Sequence, residues 1–254
     1  MSRSGSTWHS VSTYSSRSVT KVATSCLAVT VLALLTACTQ PVPRVDETSR
    51  APLDRSGYET ALRAGADVFR VDPAASQILV RVGRAGRMQR LGHDHSVASL
   101  DVQGLVALYA DPERSHADLA FPLRNLVVDK AEHRDRLGLD TEPTPSDIAA
   151  TYTNMLKVLG PDSHPWAAMR ARIAANGSGA TEMSVSISLN GTTAEFLVPT
   201  QLNVDGKGLR AAGSTRLSHA DFSLEPYSAA GGLLRVADAL EVHFTIIARR
   251  IDAL

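Results

Sequence analysis

Cysteine is nearly absent from this 254-residue chain: there are two, Cys26 and Cys38, both in the first 38 residues. No disulfide can brace anything downstream of them, so stability there must come from a packed core. An excess of charge is missing as well, with 26 Lys and Arg against 26 Asp and Glu, and aromatics make up only 5%. A surface that holds nucleic acid needs basic excess and rings for stacking, so that class of partner is excluded. No run approaches the roughly 20 apolar residues of a membrane-spanning helix. There is no Gly-x-Ser-x-Gly nucleophile elbow and no glycine-rich phosphate loop ending in Gly-Lys-Ser/Thr. Beyond a pair of histidines taken up below, the sequence offers no positive case for an enzyme, and it implies no cofactor.

What is present starts with an ordered set of N-terminal features. Met1 to Lys21 is polar, with Arg3, Arg17 and Lys21 and no acid, and an apolar stretch runs from Val22 to Leu35. Leu35-Thr36-Ala37-Cys38 follows, small residues before a cysteine at the end of a hydrophobic segment. This order resembles the bacterial lipobox. The resemblance implies that residues 1–37 are a lipoprotein signal peptide and that the Cys38 thiol carries lipid. The expected product is exported and anchored to a membrane of the cell envelope. Residues 38–66 contain Pro41, Pro43 and Pro52 and no sustained period, so they read as a flexible tether with at most a short helix near Tyr58 to Arg63.

From residue 67 to 254 the chain reads as one strand-rich domain. Gln77 to Gly83 puts Ile78, Val80 and Val82 on one face, and Asp118 to Leu123 does the same with Leu119, Phe121 and Leu123. Met183 to Leu189 alternates Val185, Ile187 and Leu189 with three serines. Asn190-Gly191 then marks a two-residue hairpin turn before Thr192 to Val198. Further strands are expected around Ala168 to Ile173 and over Gln201 to Val204, Leu209 to Thr215 and Leu234 to Ala248. Alternation with one apolar face predicts an antiparallel sheet closed into a barrel or folded into a sandwich. One segment differs: Thr144-Pro145-Ser146-Asp147 is a helix start, Ile148, Tyr152, Met155 and Leu159 recur at helical spacing, and Gly160-Pro161 stops the run. An amphipathic helix over Pro145 to Leu159 is predicted, lying across the barrel or closing one end.

The candidate site residues are His93, His95 and Trp166. In Gly92-His93-Asp94-His95 the two imidazoles stand two apart, so an extended chain points both to one side. That spacing suits two ligands of a metal ion, but a zinc site needs a third, for which His116, His133, His164, His219 and His243 are available. The plainer reading has the pair capping a strand end by bonding to neighbouring backbone. Trp166 follows His164-Pro165 and is placed either against a ligand or in the rim of the core. His133-Arg134-Asp135-Arg136 reads as a solvated loop.

These segments together resemble the YceI-like family of exported lipid-binding proteins. The likeness runs from Phe69-Arg70-Val71-Asp72-Pro73-Ala74-Ala75-Ser76 through Gly92-His93, the strand reaching Gly104, His164-Pro165 and Ser188-Leu189-Asn190-Gly191-Thr192-Thr193. It ends with Gly213-Ser214-Thr215 to Asp221-Phe222 and Val236-Ala237-Asp238. It implies an all-β, lipocalin-like antiparallel barrel of about eight strands whose apolar interior holds an isoprenoid or other amphiphilic lipid. His95 and the helical insert depart from the family's common form and bear on which ligand is held. Two alternatives stand beside this one: a metal-binding protein or metalloenzyme built on His93 and His95, and a structural or stress-related envelope lipoprotein with no ligand. The tether makes a first prediction. Cys38→Ser should abolish lipid attachment and membrane partitioning and leave the domain folded, as read by membrane fractionation after a high-salt wash and by circular dichroism.

Overall fold

Period-two alternation becomes strand throughout the domain, and the computed structural model describes residues 51–176 and 181–254. The signal peptide at residues 1–37 and the lipidation site at Cys38 lie outside the described residues. Among those described, the strands are β1 (Asp67–Val71), β2 (Gln77–Ala85), β3 (His95–Ser99), β4 (Gln103–Leu108), β5 (His116–Pro122) and β6 (Val127–Val128). They continue as β7 (Trp166–Asn176), β8 (Thr181–Leu189), β9 (Thr192–Val204), β10 (Gly208–Ser218), β11 (Ser228–Ala229) and β12 (Leu234–Ile251). Three α-helices join them: α1 (Arg55–Arg63), α2 (Ala131–Arg136) and α3 (Pro145–Leu159).

The pairings reduce to a ring of eight. Both β1 and β2 run antiparallel to β12, as two halves of one interrupted strand. Their partners β4 and β3 are again two halves of one strand, and β5 and β6 form the next. From β5 the order runs through β7, β8, β9 and β10 to β12, which returns to β1 and closes the barrel. Each member of the ring lies beside its predecessor in the chain, so this is an up-and-down, lipocalin-like barrel.

The interruption between β1 and β2 has a specific repair. Across from it lies Ile247 of β12, whose N–H donates to Ser76 Oγ at 3.0 Å. The Ile247 carbonyl accepts from the N–H of Asp72 at 2.8 Å and from the Ser76 hydroxyl at 3.2 Å. A buried serine thus satisfies backbone groups that the broken ladder would otherwise leave bare.

Inside the barrel, Phe69, Val71, Ile78, Val106, Leu209 and Ile246 form the packed core. Outside it, α1 lies against β1 and β4, burying Tyr58, Ala61 and Ala66 with Val68, Leu105 and Ala107. The expected tether therefore ends before Arg55. Tyr58, Ala61 and Leu62 share one helical face at i, i+3 and i+4, and the Tyr58 hydroxyl donates to Asp118 Oδ2 at 2.9 Å. Helix α3 has the bounds its signals set. Thr144 Oγ1 accepts from Asp147 N–H, Asp147 accepts from Thr144 N–H, and Gly160 ends the helix in the left-handed conformation at φ 60°.

Gly213 sits where β9, β10 and β12 crowd together. A Cβ there would lie 2.5 Å from the Pro199 carbonyl oxygen and 2.8 Å from Phe244 Cζ. Gly213→Ala should destabilise the domain by about 1–3 kcal/mol through overpacking. Gly206→Ala, with nothing within 4 Å of the new methyl, should stay within about 0.5 kcal/mol of the parent. Urea unfolding of the two variants checks the pair.

Candidate functional site: the barrel interior and its mouth

The barrel is not filled by its own side chains. Ala171, Ile173, Met183, Val185, Ile187 and Leu202 are among the inward residues that line an internal cavity of about 140 Å³, with Val242 and Phe244 facing them. Ser115, His116, Thr200 and Thr215 are the polar members of this lining. Ser184, Ser186 and Ser188 have the opposite parity on β8, so the alternation read from the sequence separates cavity wall from outer surface.

A second cavity, about 370 Å³, lies under α3. Strands pass from one cavity into the other: Ile78 then Val82 on β2, and Val242 then Val236 on β12. The second cavity thus lies beyond the first along the same strands, at the end that α3 covers, here called the mouth, and the two share no lining residue. Its walls are Val82, Val97, Leu234 and Val236; its roof is Asp147, Thr151, Asn154, Met155 and Val158 of α3. Tyr152, expected on the apolar face of α3, instead donates its hydroxyl to the Arg124 carbonyl at 2.8 Å, fastening the helix to the chain beside β6.

His93 and His95 both line this mouth, on one side as their spacing predicts, with ring centroids 6.3 Å apart and the rings edge-on. Their hydrogen bonding is not that of a strand cap. His95 Nδ1 lies 2.6 Å from Oδ2 of Asp129, a carboxylate with no exposed surface. Because the carboxylate can only accept, Nδ1 carries the proton, and a neutral His95 has its lone pair on Nε2. Asp129 Oδ1 accepts from Ser96 N–H at 2.8 Å and from Arg134 Nη1 at 2.6 Å. Burial alone would raise the Asp129 carboxyl, but the bonds from His95, Ser96 and Arg134 outweigh it and hold it below its ordinary range.

The rest of the Gly92–His95 segment is tied down by similar means. Asp94 accepts from Arg84 N–H at 3.0 Å and from Arg81 Nη2 at 3.1 Å, and Arg84 Nη1 donates to the Gly92 carbonyl at 2.8 Å. These donors hold the Asp94 carboxyl below its ordinary value in spite of desolvation. His93 Nδ1 is buried and has no protein partner. Asp147, in the first turn of α3, is held low chiefly by its bonds to the Thr144 hydroxyl and backbone N–H.

The run His133-Arg134-Asp135-Arg136 is not a solvated loop. It belongs to α2, with His133 and Arg134 buried. Arg134 is drawn in by the Asp129 carboxylate and also donates to the Asp94 carbonyl and to Thr141. Gln77 turns its oxygen to Arg136, so its amide nitrogen, 2.9 Å from His133 Nε2, donates to that ring. Desolvation lowers the His133 pKa below 6.5.

Trp166 is not brought to either cavity. On β7 it has the opposite parity to the inward Met169, Ala171 and Ile173, and it lines neither space. Among the described residues no group of three His, Cys, Asp or Glu side chains is arranged to hold a metal ion. His219 does reach the mouth, where its Nδ1 lies 3.0 Å from the Asp238 carbonyl. Asp129, Asp147 and Arg134 are the functional-site residues that sequence reasoning missed. A lone aspartate carries no local signal of a partner 34 residues upstream.

Two outcomes follow for the buried cluster. Asp129→Asn should cost about 3–5 kcal/mol, because it leaves Arg134 charged, buried and unpaired. Adding Arg134→Met should recover part of that loss, as read by chemical denaturation. Acidification should also lower stability in two stages. The neutral His133 of the folded state gives way as pH falls below the ordinary 6.5, where the unfolded chain binds the proton more readily. The contribution of Asp129 is complete above its ordinary 3.8 and is lost as pH falls through its lower folded value. His133→Gln should remove the upper stage and leave the lower one.

No protein-family model and no curated protein matches this chain. Among solved structures it is similar to BcnA of Burkholderia cenocepacia, with 14% identity over 70% of this chain and 98% of that one, at a TM-score of 0.47. It is also similar to the YceI protein of Campylobacter jejuni, with 11% identity over 59% of this chain and 81% of that one, at a TM-score of 0.39. The solved structures it resembles thus include YceI proteins, the family whose motifs its sequence resembles.

Proposed function

We propose that this protein binds an amphiphilic lipid, with the chain in the barrel and the polar head at the His93–His95 mouth. The observation that carries the reading is an unfilled apolar interior with a larger space beyond it along the same strands, edged by His93, His95, Asp147 and Asn154. A cavity of about 150 Å³ lined by aliphatic side chains takes a six-carbon ring. On that scale the inner space holds roughly one isoprene unit and the mouth roughly three. Each buried methylene contributes roughly 0.8 kcal/mol, so such a chain binds without any covalent step. An isoprenoid fits the elongated, aliphatic bore, and the task is binding rather than catalysis.

The mouth adds specificity. With Nδ1–H held by Asp129, the His95 Nε2 offers an acceptor to a hydroxyl or other donor on the lipid head. The open interior weighs against a barrel that serves only as structure. In this reading the protein is an exported lipoprotein of the bacterial envelope, held to its membrane by lipid on Cys38, in keeping with the Leu35-Thr36-Ala37-Cys38 segment.

Mass spectrometry of organic extracts from the protein purified without added lipid should show a long-chain amphiphile near one equivalent. Ala171→Trp, which fills the inner cavity from β7, should reduce that lipid at least tenfold while circular dichroism stays strand-rich. Protein that is folded and free of lipid when taken from its own membrane would contradict the proposal. Stoichiometric zinc lost on His93→Ala with His95→Ala would favour the metal reading instead.

A further inference from the structure

Four of the seven exposed large apolar side chains among the described residues, Met88, Leu91, Tyr227 and Leu233, gather at the mouth end of the barrel. Leu91 is 69% exposed, which no role in the core explains. The backbone holds the group together. The N–H of Met88 donates to the Leu233 carbonyl at 3.0 Å, and the single turn Gln89–Leu91 follows at once. Gly86, at φ 92°, makes this approach possible, since a side chain there would run into the Leu233 carbonyl. The N–H of Val236 donates to the Tyr227 carbonyl at 2.9 Å, which sets Tyr227 beside the same strand end.

Arginines are interleaved with this apolar fringe. Arg87, Arg90 and Arg235 are exposed, and the segment from Gly86 to Gly92 contains no acid. Of the acids near it, Asp94 pairs with Arg81 and Arg84 and Asp140 with Arg84, while Asp147 of the mouth bonds to Thr144 and Glu225 stands two residues from Tyr227. Tyr227, Leu234 and Arg235 also line the mouth, so the fringe is continuous with the entrance to the interior. Apolar tips flanked by arginines are the composition of a surface that enters an anionic membrane interface.

We propose that this fringe docks on an anionic lipid bilayer. Met88, Leu91 and Leu233 enter the boundary between headgroups and acyl chains, and the arginines pair with lipid phosphates. Docked in this way, the mouth faces the bilayer, and a lipid passes between membrane and barrel without crossing open water. Only that last step rests on the lipid-binding reading; the docking does not. A chain anchored at Cys38 has twelve residues before Ala51, at most about 40 Å of reach, which keeps the barrel close to its membrane.

The test uses the processed lipoprotein, which begins at the lipidated Cys38, in vesicles, with Leu91→Cys carrying an environment-sensitive fluorophore and the parent protein as the blank for any labelling at Cys38. Vesicles of phosphatidylethanolamine with phosphatidylglycerol should blue-shift the Leu91 label, and pure phosphatidylcholine should shift it much less. A label at Leu197→Cys, on an exposed position of β9, should not respond. Arg87→Glu with Arg90→Glu should abolish the shift at Leu91. No shift, an equal shift at Leu197, or a shift indifferent to charge reversal would each overturn the docking. So would a shift that needs an added protein, which would make the fringe a protein interface. Lipid extracted from the same sample separates the two claims. A shift without co-purified lipid supports docking and removes the cargo, whereas lipid without a shift overturns docking and keeps the cargo.

Discussion

Asp129 sits in the left-handed backbone region at φ 52°, between β6 and α2, and its carboxylate has no exposed surface. Donors from three places converge on it: the His95 ring, the Ser96 backbone and the Arg134 guanidinium. An ionised group can be buried only when it is compensated in this way. Compensation here fixes the start of β3, fixes α2 beneath it, and leaves one histidine nitrogen free for the mouth. Remove the carboxylate and Arg134 becomes a buried charge without a partner, while His95 loses both its tautomer and its orientation. The mouth therefore depends on a residue that does not line it.

The second constraint is geometric. In β12, Leu234–Ile251, one strand serves two neighbours along the edge away from β10, β2 along most of its length and β1 at its end. Where the partner changes, Ser76 and Asp72 supply the backbone's missing bonds. Closure by a single long strand removes sheet edges and encloses the bore. Medium and small aliphatics such as Ala171, Val185 and Ala211 then line the bore without filling it. The capacity to hold a guest is a consequence of side-chain volume on β7 to β10.

Legibility in the sequence followed the range of the signal. The barrel strands declared themselves through period-two alternation, and α3 through a capping box and a terminal glycine, all of it information within a few residues. His93 and His95 fell on one side because an extended chain allows nothing else. The halves of the interrupted strands were not separable from whole ones, since the break at Asp72–Ser76 has meaning only opposite Ile247. Residues 55–66 read as tether because their apolar face is short, and the wall that covers it comes from β1 and β4. His133 and Arg134 read as solvated because polarity is local and the compensating Asp129 is a tertiary fact. Of the two places open to Trp166, its parity against Met169, Ala171 and Ile173 turns it away from the bore, and it is half-buried on the other face of β7.

The central claim is that the interior and the mouth form one binding site, and an experimental structure at high resolution tests it most directly. The measurement is electron density in crystals of protein taken from its own membrane without added lipid. The account predicts elongated density running through the bore, past Val242 and Val82, and ending within hydrogen-bonding distance of His95 Nε2. A bore closed by inward movement of its walls, with α3 packed down onto Val97 and Val236 and only water at the histidines, would contradict it.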